Sequence, residues 1–104
     1  MDKNWSLKNK KDIDLVFSKG KSNLSGCILV KSIAATETKF LFAVSSKNFK
    51  RANQRNRIKR LMRVAASNIK DAVKNKHVAF IYVAKDIKSF EEINSSIVNW
   101  LTKK

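Results

Sequence analysis

Seven residues that could bind phosphate lie within residues 51–63 of this 104-residue chain. Arg55, Lys59 and Arg63 are spaced four residues apart, so on a helix they would form one row. Like charges at this spacing destabilise an isolated helix by about 0.2–0.5 kcal/mol per pair, which favours contact with an anion. Arginine also offers a planar fork that binds phosphate bidentately. The candidate phosphate-binding residues are Arg51, Arg55, Asn56, Arg57, Lys59, Arg60 and Arg63.

The positive charge of the chain is concentrated around these residues. The chain has 23 Lys and Arg against 8 Asp and Glu, a formal net charge of +15. Ten of the basic residues and none of the acidic ones lie between Glu37 and Asp71. A solvated helix face normally mixes acids with bases, because such pairs support both the helix and its solubility. The acid-free cluster therefore indicates a polyanionic partner, either a nucleic acid or an anionic membrane surface.

The elements around the cluster favour RNA over DNA. A helix-turn-helix motif needs a second helix a short turn away, whereas the apolar residues 77–84 predict a strand there. The major groove of an RNA helix is too narrow for side chains, so such RNA is recognised through its backbone and shape. A row of arginines on a rigid helix suits the phosphates of a folded RNA.

Several other classes of site have no support in the sequence. A single cysteine, Cys27, cannot form an internal disulfide, and with the single histidine, His77, it cannot supply a zinc site. The acids are few and scattered, and no nucleophile–base pair is recognisable. No apolar run approaches the length of a membrane span, and the first residues do not resemble a secretory signal. We therefore expect a cytoplasmic protein with no catalytic residue and no metal site of its own.

Hydrophobic periodicity and capping residues predict the elements that position the cluster. Asn9 is a candidate cap for the first helix and Gly20 a candidate stop, while Ser89 and Glu92 form a capping box before the last helix. In chain order we expect a helix at 10–19, strands at 27–35 and 39–46, a helix at 53–74, a strand at 77–84, and a closing helix lined by Phe90, Ile93, Ile97, Trp100 and Leu101.

This order, αββαβα with a possible extra short strand near 21–26, predicts an α+β fold built as a two-layer α/β sandwich. The two strands at 27–35 and 39–46 are expected to pair as an antiparallel hairpin through the short connection 36–38. The length and the absence of a linker predict one RNA-binding domain over residues 1–104, with a flexible polar arm at 1–8.

Residues 55–63, Arg-Asn-Arg-Ile-Lys-Arg-Leu-Met-Arg, closely resemble the signature helix of the bacterial ribonuclease P protein component. The resemblance covers nearly the whole chain. Upstream it includes Leu7-Lys8, Asp12, Val16-Phe17, Gly20-Lys21, and Val44 to Lys47 followed by Ala52.

The resemblance implies a small basic subunit of a ribonucleoprotein endonuclease that removes the 5′ leader from precursor tRNA. It implies two partners, the ribonuclease P RNA and precursor tRNA, with no membrane and no obligate protein partner. The RNA subunit would be catalytic, with Mg²⁺ bound mainly by RNA phosphates. The implied fold has a mixed sheet with a left-handed βαβ crossover, although right-handed crossovers are the strong default.

The resemblance also implies a cleft between the first helix and the sheet that holds the single-stranded leader. The family often has aromatic residues where this chain has Ile13 and Lys31, so base stacking would be reduced and Phe17 would remain. By correspondence the leader-binding residues are Lys10, Ile13, Phe17, Lys31, Ser46 and Lys47.

Two alternatives fit the composition. One is a ribosomal or ribosome-associated RNA-binding protein, and the other is a basic protein that coats DNA or a membrane surface. The signature helix favours the ribonuclease P family over the ribosomal protein, whereas a protein that coats DNA or a membrane would bind without preference for folded RNA.

Overall fold

The computed structural model describes residues 6–102, in which three α-helices cover a four-stranded sheet. The predicted α+β class is confirmed, as is the extra strand near 21–26. In chain order the elements are α1 (Lys10–Lys19), β1 (Lys21–Ser25), β2 (Ile28–Ala34), β3 (Lys39–Val44), α2 (Ala52–Ser67), a 3₁₀ turn (Lys70–Ala72), β4 (Lys76–Tyr82) and α3 (Phe90–Thr102).

The strands lie in the order β1-β2-β4-β3, so the predicted hairpin between 27–35 and 39–46 is wrong. β4 lies between β2 and β3, antiparallel to β2 and parallel to β3. Its consecutive residues Val78, Ala79 and Phe80 are all fully buried, which means that both faces of β4 need cover. A strand that is apolar on both faces takes a central position in a sheet. The left-handed sense of the β3–α2–β4 crossover stays a prediction.

The hairpin that does form joins β1 to β2 through Gly26, whose φ of +56° lies in the left-handed region. The connection 36–38 instead binds the segment before β4. Thr38 Oγ1 donates to the Val73 carbonyl oxygen at 2.8 Å and accepts from the Asn75 amide at 2.9 Å. These bonds align the start of β3 beside the start of β4.

The helix α1 begins and ends where the sequence predicts. The Asn9 side chain accepts a hydrogen bond from the Lys11 amide at 2.9 Å and so caps the helix. At Gly20 a Cβ atom would lie 2.3 Å from the Val16 carbonyl oxygen and 3.1 Å from that of Ser32. Glycine therefore allows the end of α1 to lie directly against β2.

The helix α2 is shorter than predicted, because it ends at Ser67 and not near residue 74. Ile58 and Met62 are buried on its inner side. The 3₁₀ turn that follows changes the direction of the chain toward β4, so that Ala72 is exposed and Val73 is buried. Apolar residues continue at helical spacing beyond Ser67, which made the predicted helix too long.

The core is divided between the two faces of the sheet. The larger part lies under α2 and α3 and includes Phe80, Ile97 and Trp100, whose ring meets Phe80 edge to face. Ser89 Oγ caps α3 by accepting from the Glu92 amide at 3.3 Å. The smaller part lies under α1, so the helices cover both faces of the sheet.

The start of the described chain is held at the free edge of β3. The Leu7 amide donates to the Phe40 carbonyl oxygen at 2.8 Å, and Leu7 is buried with Val16 under α1. Ser6 also forms a bridge to Phe40. Residues 1–5 of the predicted arm, with Trp5, lie outside the described residues.

Candidate nucleic-acid interface

The seven candidate residues lie on α2 and at its N-cap, and six of them are exposed to solvent. Ile58 and Met62 anchor the inner side of the helix in the core with no solvent exposure. Arg55, which precedes Ile58 by three residues, is half-buried at the border of this inner side. The other six are exposed: Arg51, Asn56, Arg57, Lys59, Arg60 and Arg63.

The central cations of this face have no carboxylate partner among the described residues. Among residues 6–102, Arg57, Lys59 and Arg60 form no hydrogen bond or ion pair through their side chains. Glu37 and Asp86 each pair with a lysine outside α2. The charges of these three residues are therefore available to an external anion.

The N-terminus of α2 adds to the positive potential. Arg51 occupies the N-cap position without a side-chain hydrogen bond to the helix, and the first turn has no acidic residue. The amide groups of a first helical turn carry a partial positive charge, and most helices balance it with an acid or a capping oxygen. In α2 that balance is absent from the N-cap and the first turn.

The two ends of the predicted row make contacts within the protein. Arg55 Nη1 donates to the carbonyl oxygens of Phe49 at 2.8 Å and Lys50 at 3.0 Å. The Arg63 guanidinium carbon lies 5.9 Å from the centroid of the Phe42 ring. The sequence did not lead us to single out Phe49, although this residue is the only apolar one between Val44 and Ala52.

The residues predicted to bind a leader lie in separate places. Phe17 and Lys31 are in contact, and Ile13 packs into the small core under α1. Lys10 is exposed in the first turn of α1, at the end of the helix away from Phe17. Ser46 and Lys47 are exposed in the loop after β3.

The open part of the sheet face beside α1 carries an apolar residue that the sequence analysis did not single out. Leu24 lies on the same face as Lys31, because Ser22 pairs with Lys31 and Leu24 with Leu29. Leu24 is 63% exposed, the highest value among the large apolar side chains of the described residues. The alternating pattern of a strand near 21–26 could have revealed it.

Groups with possible chemical reactivity have structural roles or stand alone. Cys27 Sγ lies 3.4 Å from Ser96 Oγ. The buried Tyr82 hydroxyl donates to the Asp86 carbonyl oxygen at 2.6 Å and accepts from the Lys88 amide at 2.9 Å, and burial raises the pKa of Tyr82.

In the described part of the chain, no three His, Cys, Asp or Glu side chains are close enough to hold a metal ion. Within the same residues, every helix is too short or too polar to cross a bilayer.

The sequence matches a known family along its whole length. A family model described as Ribonuclease P matches residues 1–104. The ribonuclease P protein component of Acholeplasma laidlawii is 30% identical over 107 residues, which cover 99% of this chain and 91% of that relative.

Solved structures share the fold. The RNase P protein of Staphylococcus aureus superposes with a TM-score of 0.78 at 25% identity, over 97% of this chain and 95% of that one. The RNase P protein of Thermotoga maritima gives a TM-score of 0.81 at 21% identity, over 95% and 96% of the two chains. Nothing in these comparisons supports the ribosomal alternative.

Proposed function

Because the chain belongs to the ribonuclease P protein family, we propose that it is the protein subunit of the ribonucleoprotein that removes the 5′ leader from precursor tRNA. The family makes the chain part of a tRNA-processing endonuclease complex and makes ribonuclease P RNA its partner. The observation that carries the proposal is the exposed, acid-free outer face of α2.

The cations on the outer face of α2 would bind RNA through electrostatic attraction. Arg57, Lys59 and Arg60 would neutralise phosphates of the ribonuclease P RNA and release their counterions, which drives association. Neutralised phosphates also lower the repulsion between the enzyme RNA and the substrate RNA. Because Ile58 and Met62 fix the helix in the core, the backbone that carries the cations is ordered before RNA binds.

The face of the sheet beside α1 would hold the leader of precursor tRNA. Phe17 would stack on a base, since the residue is 37% exposed, and Lys31 and Lys47 would contact phosphates. This assignment rests on the family correspondence together with the contact between Phe17 and Lys31.

The chemistry would belong to the RNA subunit. The described residues do not fit a protein-held Mg²⁺ site, because no cluster of three carboxylate or other metal-binding side chains is present among them. We therefore assign Mg²⁺ to RNA phosphates and give this chain a binding role only.

The test is reconstitution. The protein is added to a bacterial ribonuclease P RNA at a low Mg²⁺ concentration, and release of the leader from end-labelled precursor tRNA is followed. We expect faster cleavage than with the RNA alone and no cleavage by the protein alone. An Arg57→Ala, Arg60→Ala double variant is the matched control and should stimulate less. No stimulation by the wild-type protein would refute the proposed function, and cleavage by RNA-free protein would refute the assignment of catalysis to RNA.

A further inference from the structure

The guanidinium group of Arg55 is hydrogen-bonded to the protein backbone through one of its nitrogens. Its Nη1 atom donates at 2.8 Å to the Phe49 carbonyl oxygen and at 3.0 Å to that of Lys50. An Nη atom carries two N–H groups, so both donors of Nη1 are used. Arg55 is half-buried, whereas Arg57 and Arg60 on the same helix are exposed.

The carbonyls that Arg55 binds belong to the loop 45–51, which connects β3 to α2. Phe49 fixes the middle of this loop in the core, where it is only 4% exposed and its ring centroid lies 5.8 Å from that of Tyr82. The Phe49 amide donates to the Ser45 carbonyl oxygen at 3.1 Å. The Lys47 amide donates to Ser45 Oγ at 3.2 Å.

Arg55 supplies the side-chain link between this loop and the helix. The loop carries Ser46 and Lys47, assigned above to the leader, and Arg51 at the N-cap of α2. The direction of the carbonyls at 49 and 50 fixes the path of the chain between these residues. The Arg55 guanidinium group, together with the buried Phe49 side chain, therefore holds the loop in one arrangement relative to α2.

We propose that Arg55 is a positioning residue that joins the two RNA-binding surfaces, and that the phosphate contacts of α2 are made by its exposed neighbours. This inference rests on the proposed function. It changes the role that the family correspondence gives to the first arginine of the signature. Both bonds come from Nη1, which lies one covalent bond farther from Cα than the Nζ atom of a lysine does, so Arg55→Lys keeps the charge but shortens the reach to the two carbonyls.

The salt dependence of RNA binding distinguishes a positioning residue from a phosphate ligand. Affinity for ribonuclease P RNA is measured between 50 and 200 mM salt for the wild type, Arg55→Ala, Arg55→Lys and Arg60→Ala, a range over which phosphate contacts dominate. We expect Arg60→Ala to reduce the slope of log K against log salt by about 0.7–0.9, the value for one phosphate contact. Arg55→Ala and Arg55→Lys should each weaken binding by about tenfold at every salt concentration with the wild-type slope.

A reduced slope for Arg55→Ala, equal to that of Arg60→Ala, would overturn the positioning role and leave the proposed function intact. Full wild-type affinity in Arg55→Lys would also overturn it, because that variant keeps the charge but its shorter side chain does not reach both carbonyls. An unchanged slope in Arg60→Ala would refute phosphate binding by α2 and with it this inference. Circular dichroism and thermal unfolding establish that each variant is folded, and Arg55→Lys provides a second route if Arg55→Ala does not fold.

A separate measurement tests whether Arg55 links the leader-binding loop to α2. In the reconstituted ribonucleoprotein, the ratio of affinities for precursor and mature tRNA reports leader binding alone. We expect Arg55→Lys to lower this ratio as Lys47→Ala does, and Arg60→Ala to leave it unchanged. A wild-type ratio in Arg55→Lys would show that Arg55 does not position the loop for the leader.

Discussion

The ammonium nitrogen of Lys31 lies 5.5 Å from the centroid of the Phe17 ring and donates a hydrogen bond to the Phe17 carbonyl oxygen at 3.2 Å. One side chain on β2 thus contacts both the carbonyl end of α1 and an exposed aromatic ring. A cation favours the C-terminal end of a helix, where backbone carbonyls carry partial negative charge. Lys31 therefore places a charge, and not a stacking surface, beside the Phe17 ring.

Replacing Phe17 with alanine should weaken binding of leader-bearing precursor tRNA by about tenfold, because stacking of a base on an aromatic ring contributes about 1–3 kcal/mol. Binding of mature tRNA should not change. The measurement is equilibrium binding of both RNAs to the reconstituted complex. Leu15→Ala is the control, since Leu15 is a 43% exposed apolar residue on the same helix. Equal losses for both RNAs would show that Phe17 does not contact the leader.

Replacing Arg57 and Arg60 together should reduce the salt slope of binding to ribonuclease P RNA by about 1.4–1.8, since each side chain would lose one phosphate contact. Each single variant should give half of this change. The slope is obtained from dissociation constants over a series of salt concentrations. Lys85→Ala removes an exposed cation outside α2 and should leave the slope unchanged. A comparable change in that control would mean that only net charge matters.

Gly26→Ala should lower the free energy of unfolding by about 1–3 kcal/mol, because the residue has a φ of +56° and strained backbone at such a position is costly. A Cβ atom would also lie 2.3 Å from Ser96 Oγ on α3. Urea denaturation measures the loss. Ser22→Ala, at an exposed position of the same hairpin, should change the value by less than about 0.5 kcal/mol. Equal stability of the two variants would contradict the role of Gly26.

Tyr82→Phe should destabilise the protein by about 1 kcal/mol near neutral pH, since the Asp86 carbonyl and the Lys88 amide lose their partner. The burial that raises the pKa of Tyr82 above 10.0 favours the protonated form in the folded state. The stability that the Tyr82 hydroxyl contributes is therefore fully present below pH 10, and it is lost as the pH rises through the pKa of the folded state. When the free energy of unfolding is measured against pH, the difference in this free energy between wild type and variant should become smaller above pH 10. A constant difference would contradict this linkage.

Local signals in the sequence predicted most of the elements. The bounds of α1 follow from Asn9 and Gly20, and the start of α3 follows from Ser89, because caps act on neighbouring backbone groups. Strand order was not predicted correctly, because it depends on which strand is buried on both faces. The unbroken apolar run that follows His77, at 78–84, contained that information.

The cationic face was also predictable, because it depends only on helical spacing and on the absence of acids. The role of Arg55 was not, since it depends on where two backbone carbonyls lie in three dimensions. Phe49 determines their position by packing against Tyr82, a residue distant in sequence. Such a contact has no periodic signature.

The central place of β4 has a consequence for the order of events during translation. β1 and β2 can pair as soon as both have been synthesised, but β3 has no strand beside it until residues 76–82 have followed. A nascent chain that ends just after α2 therefore already carries all seven candidate RNA-binding residues, while β3 still lacks the strand that pairs with it. The sheet that supports this face of α2 is complete only after the last third of the polypeptide has been made, because parallel pairing between distant segments forms slowly.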